Sequence, residues 1–198
     1  LNEQQAYPPV LIALSAPSGS GKTTICHKLL ERNPDFRLSI SATTRPPRHS
    51  EQHGVDYFFL SEEDFRGKIS RGEFLEYEKV FDHYYGTLRK TVEDYLRQGY
   101  SVLFDIDVNG ALRIKQKYPT ALLIFVRPPS LEELKRRLRN RKTDDPAEIE
   151  KRLKRLPEEY EKSKYFDHVV VNDDLERTVA EIEQIIRNYQ EQLNHVSQ

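Results

Sequence analysis

Methionine and tryptophan are absent from the 198 residues, and cysteine occurs once, as Cys26. A single cysteine excludes an internal disulfide and a multi-cysteine metal site. Its place in a helical pattern, beside apolar residues, marks it as a small core side chain. With no methionine even at its first position, the chain is expected to begin downstream of a translational start. Long apolar runs are missing too. None approaches the ~20 residues that span a bilayer, and the mean hydropathy is -0.75. No charged-then-apolar leader opens the chain, so the expected compartment is cytoplasmic, with no membrane partner. Charge of one sign is also lacking, since the net charge is -1. A nucleic-acid binder would show a basic excess or stripe, so no nucleic-acid partner is expected. The six histidines show no metal-ligand spacing. No internal repeat or low-complexity stretch occurs.

What is present is 37% hydrophobic and 32% charged, in a length that suits one core with small appended lobes. The chain is organised around Ala16-Pro17-Ser18-Gly19-Ser20-Gly21-Lys22-Thr23. The apolar run Val10-Leu11-Ile12-Ala13-Leu14 precedes it and a helical pattern, from Lys22 to about Glu31, follows. Strand, glycine-rich turn, Lys-Thr and helix, in that order, predict a phosphate-binding loop. Its backbone N–H groups and the helix N-terminus would hold phosphates; Lys22 would reach the outer ones, and the Thr23 hydroxyl would ligate Mg²⁺. Ala16 stands where the pattern usually has its first glycine. It is strained only if that position needs a positive φ.

Strands alternating with helices predict an α/β protein built on a parallel sheet. The strands fall at 10–14, 36–40, 56–60, 74–81, 100–105, 121–126 and 166–171. Helices are expected at about 61–70, 87–98, 130–142 and 147–164, and from Asp173 onward, where Leu175, Val179, Ile182, Ile186, Tyr189 and Leu193 form one apolar face. His83-Tyr84-Tyr85-Gly86-Thr87 reads as a polar aromatic turn, with Thr87 capping the next helix. Asp105 ends an apolar strand, where it either orients Mg²⁺ or its water, or caps the following helix. Asp107-Val108-Asn109-Gly110 fits a loose D-x-x-G pattern, but no N-K-x-D follows and it is set aside.

Ser41 to Arg48 is polar, rigid and basic. Pro46-Pro47 favours polyproline II, which sets residues three apart on one side, about 9 Å from each other at about 3.1 Å rise. Arg45 and Arg48 then form either a phosphate clamp or a solvated basic loop. The helix with Lys135, Arg136, Arg137, Arg139, Arg141 and Lys142, and the charged helix after it, show few apolar positions. They read equally as a mobile lid over phosphates or as a solvated hairpin.

The loop, Ser41-x-Thr43-Thr44-Arg45-x-x-Arg48, Gly54-x-Asp56-Tyr57, Phe74-x-Glu76, Tyr84-Tyr85-Gly86-Thr87, Asp105-Ile106-Asp107 and Val171-Asn172-Asp173-Asp174 together resemble guanylate kinase, from about residue 10 to 190. The resemblance implies a P-loop core (10–40, 97–130 and 165–195) with helices on both sheet faces, an inserted α+β GMP-binding lobe (41–96) and a helical lid (131–164). It implies Mg²⁺, with ATP as co-substrate and GMP as acceptor, giving ADP and GDP. On it, residues 16–23 with Thr24 and Asn172 bind ATP, Asn172 near adenine. Arg45, Arg48, Tyr57 and Tyr85 hold the GMP phosphate. Ser41, Glu76, Thr87 and Asp107 read guanine. Lys22, Arg45, Arg137, Arg141 and Arg152 are catalytic, and Thr23 and Asp105 hold Mg²⁺, directly or through water. Around Arg141 the sequence Asn140-Arg141-Lys142 departs from the flanking glycines common in the family. The chemistry agrees: a carboxylate such as Glu76 can accept from both guanine N1–H and its amino group, whereas adenine N1 is an acceptor, and Ser41 and Thr87 hydroxyls could donate to O6. The competing readings are a non-catalytic guanylate-kinase-like interaction module and a P-loop kinase for another monophosphate.

Overall fold

The structure is a computed structural model that describes residues 7–80, 82–140 and 146–196. Arg141, and residues 143–145 of the break expected at 143–146, lie outside the described residues; Pro146, expected in that break, is the first residue of a helix.

A five-stranded sheet forms the base. Its strands are β1 (Leu11–Ser15), β2 (Phe36–Leu38), β7 (Ser101–Asp105), β8 (Leu122–Arg127) and β9 (His168–Val171), in the order β2-β7-β1-β8-β9 and all parallel. Helices cover both faces, so β1 is buried along its whole length, as its unbroken apolar run requires. On one face α1 (Lys22–Arg32) and α7 (Leu175–Val196) bury Ile25, Leu29, Val179, Ile182 and Ile186. On the other, α3 (Arg89–Arg97) and α4 (Val108–Lys117) bury Val92, Val108, Ala111 and Ile114. Register pairs Leu14 of β1 with Asp105 of β7. The loop after β1 and the acid ending β7 therefore emerge side by side at the carboxyl edge, where open α/β sheets place their ligands.

Between β2 and β7 the chain builds a second sheet, from β3 (Ala42–Thr43), β4 (Phe58–Phe59), β5 (Phe74–Val80) and β6 (His83–Leu88), in the order β4-β3-β6-β5. Helix α2 (Glu62–Ser70) buries Phe65 beneath it, stacked on Phe74 at 4.3 Å between ring centroids. Ser61 caps α2 as expected, accepting from Asp64 N–H at 3.0 Å. The β5–β6 ladder slips between Phe74 and Glu76, and Phe74, Leu75 and Glu76 are buried in succession. That irregularity turns Glu76 inward.

Several expectations need correction. The segment read as a turn at His83–Thr87 is strand β6, because its aromatic and glycine positions pair along β5 and β3. Thr87 therefore caps no helix; α3 begins after Leu88, without a side-chain cap. The strand expected at 36–40 stops at Leu38, and that at 56–60 shrinks to Phe58–Phe59. Helix α4 (Val108–Lys117) is expected without bounds, and only in the alternative where Asp105 caps it; the cap is Asp107 instead, its Oδ1 accepting from Gly110 N–H at 2.7 Å. The charged hairpin of α5 (Leu131–Asn140) and α6 (Pro146–Ser163) has its own apolar seam. Leu134, Leu138 and Leu156 are buried there, with Ile149, Leu153 and Tyr160 packed against them.

Candidate active site

The loop between β1 and α1 takes its shape from two residues. Gly19 and Gly21 have φ of 91° and 88°, the left-handed region that side chains avoid. Both are also crowded: a Cβ on Gly19 would come within 2.9 Å of Leu138, and one on Gly21 within 2.6 Å of the Asn172 amide. Ala16 instead sets its methyl against the core cluster under the sheet. The Ser20 hydroxyl is buried without a hydrogen-bond partner among the described residues.

Lys22 and Thr23 open α1 and meet the end of β7. Lys22 Nζ lies 2.7 Å from Asp105 Oδ1 and donates to Ile106 O at 3.1 Å, while the Thr23 hydroxyl donates to Asp105 Oδ2 at 3.2 Å. Thr24 lies one residue along, exposed and outside the cavity lining. The cavity above the loop has a volume of about 490 Å³ and is closed by Leu38–Ser41, Tyr57, Asp105 and Glu159 of α6. Asn172 is buried behind the loop rather than in the cavity; its Nδ2 donates to Ser20 O at 2.8 Å, and its own carbonyl accepts from Arg137 at 3.2 Å. Arg137 is held from behind by Glu133 at 2.7 Å. Hydrogen bonds from Arg136 and Arg137 pull the Glu133 carboxyl down to about 2. Arg152 Nη1 donates to the Ser18 hydroxyl, tying α6 to the loop.

A second cavity, of about 550 Å³, adjoins the first and shares Ser41, Tyr57 and Asp105 with it. Arg45, Arg48, Tyr57 and Tyr85 line one part of it. Arg45 sits 2.9 Å from Glu51 Oε1, and Arg48 donates its backbone N–H to Glu51 Oε2 at 2.8 Å, so one carboxylate stiffens the basic segment. The Arg45 guanidinium lies 5.4 Å from the Tyr57 ring centroid. Glu76 and Asp107 line the cavity too. Glu76 is 8% exposed, and burial pushes its carboxyl above the usual range, against the pull of Thr87 and Arg113. Thr87, 1% exposed, donates its hydroxyl to Glu76 Oε1 at 2.7 Å. In this arrangement its one proton goes to the carboxylate and fixes it.

Sequence reasoning missed Glu51, Arg113, Arg155 and Glu159. Each is one charged residue in a chain rich in them, and only the packing of α4 and α6 brings the last three to the cavities. Glu159 is half-buried, and burial raises its carboxyl to about 7. The neutral acid therefore favours the fold, an advantage complete below the ordinary 4.5 and lost as pH rises through about 7. Glu159→Gln should raise Tm by on the order of 1–3 °C at alkaline pH and by less at about pH 5, after allowing for solvent screening. Calorimetry at both pH values checks this; an equal shift at both would mean an ordinary carboxyl.

A backbone anion cradle at the carboxyl edge of a parallel sheet, with Lys22, Thr23 and Asp105 converging beside it, defines a P-loop phosphotransferase. Comparison with known proteins narrows the class. A family model described as guanylate kinase matches residues 9–189, and the chain belongs to that family. It is 52% identical over 181 residues to a guanylate kinase of Bacteroides thetaiotaomicron, covering 90% of this chain and 89% of that one. To a guanylate kinase of Caldanaerobacter subterraneus it is 48% identical over 177 residues, 89% of this chain and 86% of the other. The crystal structure of guanylate kinase from Anaplasma phagocytophilum superposes with a TM-score of 0.75 at 35% identity, covering 94% of this chain and 88% of that one. Among the described residues no helix is long and apolar enough to cross a membrane.

Proposed function

We propose that this chain transfers the γ-phosphoryl group of ATP to GMP, giving ADP and GDP, with Mg²⁺. The carrying observation is the meeting of two unlike cavities across Ser41, Tyr57 and Asp105. One is walled by loop amides and Lys22. The other has Arg45 and Arg48 in one part and buried Glu76 in another. That arrangement suits a triphosphate facing a purine monophosphate.

Residues 16–23 would cradle the ATP phosphates, with Lys22 on the outer ones. Arg152 reaches the cradle from α6, at Ser18. Arg137 acts further back, steadying the loop through Asn172. Arg45, Arg48, Tyr57 and Tyr85 would hold the GMP phosphate, and Ser41, Asp107 and Glu76 the base. The GMP phosphate oxygen is already an anion, so its attack on the γ-phosphorus, with departure of ADP, needs alignment and charge compensation more than a base. The Thr23 hydroxyl and Asp105 carboxylate, 3.2 Å apart, are a hard oxygen pair that fits Mg²⁺ held by one or two side chains plus phosphates. Bound there, Mg²⁺ would neutralise charge on the phosphate oxygens. A net charge of -1 gives no support to a nucleic-acid partner. The supply of ATP supports a cytoplasmic setting.

A coupled ADP-release assay with GMP, dGMP, AMP, CMP and UMP tests the reading. GMP should exceed AMP in kcat/KM by on the order of a hundredfold or more. Comparable rates for AMP would remove the base assignment, and no turnover with any acceptor would favour the interaction module.

A further inference from the structure

Glu76 is not alone in its corner. Helix α4 lays Arg113 against β5, with Nη2 3.4 Å from Glu76 Oε2 and 2.9 Å from Glu78 Oε2. Thr87 occupies the other oxygen of Glu76. The carboxylate is thus pinned from both ends, and each oxygen keeps one acceptor direction unspent. We propose that Arg113 is a positioning residue that sets the purine preference of the site, holding Glu76 as a double acceptor; this rests on the reading of Glu76 as the guanine-binding acid.

The reason is the choice of protonation state. A buried carboxyl without a counter-charge protonates more readily. Facing Glu76 are Arg113 and Lys117 of α4, Asp107 at the cap of that helix and Thr87 of β6, while Glu78, two positions along the same strand, shares Arg113. Burial and Asp107 favour the neutral acid, and Arg113 with Thr87 opposes them. Ionised, Glu76 offers two acceptors, matching guanine N1–H and the amino group. Protonated, it offers one donor and one acceptor, which matches adenine N1 and its amino group instead. Loss of Arg113 therefore weakens GMP binding and at the same time makes adenine less of a mismatch. Arg113 is a lone arginine on a helix to which the sequence assigned no bounds, and none of the motifs that carry the resemblance includes it.

The full chain is assayed as wild type, Arg113→Met, Arg113→Lys and Glu76→Gln, with KM for GMP and ATP and kcat/KM for AMP between about pH 6.5 and about pH 8.5. Taking the variant-to-wild-type ratio cancels the titration of GMP itself. Arg113→Met should raise KM for GMP about tenfold at the acidic end and about twofold or less at the alkaline end, with kcat within about twofold. The AMP-to-GMP ratio of kcat/KM should rise, and Arg113→Lys should restore most of both effects. A pH-independent ratio, or an equal loss on ATP, overturns the inference. So does a lysine variant that behaves like methionine. If Arg113→Met does not fold, Arg113→Gln, which keeps a donor without the charge, is read by the same criteria. An unchanged KM for GMP in Glu76→Gln strikes down the base assignment itself; a raised KM there with a flat Arg113→Met profile strikes down this inference alone.

Discussion

Replacing Lys22 with alanine is expected to lower kcat by on the order of a thousandfold, about 4 kcal/mol of transition-state stabilisation. The expectation comes from position. Lys22 Nζ is already held at the mouth of the loop by Asp105 and the Ile106 carbonyl, so its charge is placed before any phosphate arrives. Charge fixed in advance needs no reorganisation as negative charge redistributes over the transferring group. Folding should survive. The Lys22–Asp105 pair is 21% and 27% exposed, so water can replace the lysine around Asp105, at a cost of about 1 kcal/mol or less. Steady-state kinetics with GMP and thermal melts of both proteins check the two halves. Near wild-type turnover would contradict the assignment, and a collapsed melt would make the kinetic loss a folding effect.

Glu76→Gln should lower kcat/KM for GMP by about a hundredfold or more while leaving KM for ATP nearly unchanged. Glutamine keeps the shape but turns one acceptor into a donor, which then faces a guanine N–H. A buried polar mismatch of this kind costs about 1–3 kcal/mol, and more where charge is lost. The neighbours sharpen the effect. The Thr87 hydroxyl and Arg113 both donate towards Glu76, and an amide can satisfy only one of them with its oxygen. Parallel titrations of GMP and ATP decide it. An equal loss on both nucleotides would point to general damage to the cleft.

The phosphate loop was legible in the sequence because its signal is local. Two glycines, Lys-Thr and an apolar run lie within a few residues, and the same residues make the structure. The α7 face was legible for the same reason, since a helical period needs no partner to be read. The second cavity was different. Glu76 and Thr87 are eleven positions apart and meet only because β5 and β6 form a hairpin with a slipped register. Nothing in His83–Thr87 alternates clearly enough to announce a strand, and the two residues were brought together by resemblance, not by pattern. The bounds of helix α4 were hidden by Asn109 and Gly110 in its first turn, both weak helix formers. The seam between α5 and α6 was hidden by composition. Leu134, Leu138 and Leu156 are few among many charges, and their burial depends on two helices folding back on each other. Arg113 and Glu159 carry no sequence signal, because their importance is a matter of what packs opposite them.

The pairing of Arg45 with Glu51 has a consequence for entry. The two side chains are 13% and 17% exposed, and the guanidinium already holds an internal anion. A guanidinium has five N–H donors, and here one serves Glu51 and another the Pro46 carbonyl, so the phosphate proposed for this segment would be met by the donors that remain while Glu51 keeps the arm in place. A dianion there would meet a fork whose orientation the protein has already fixed.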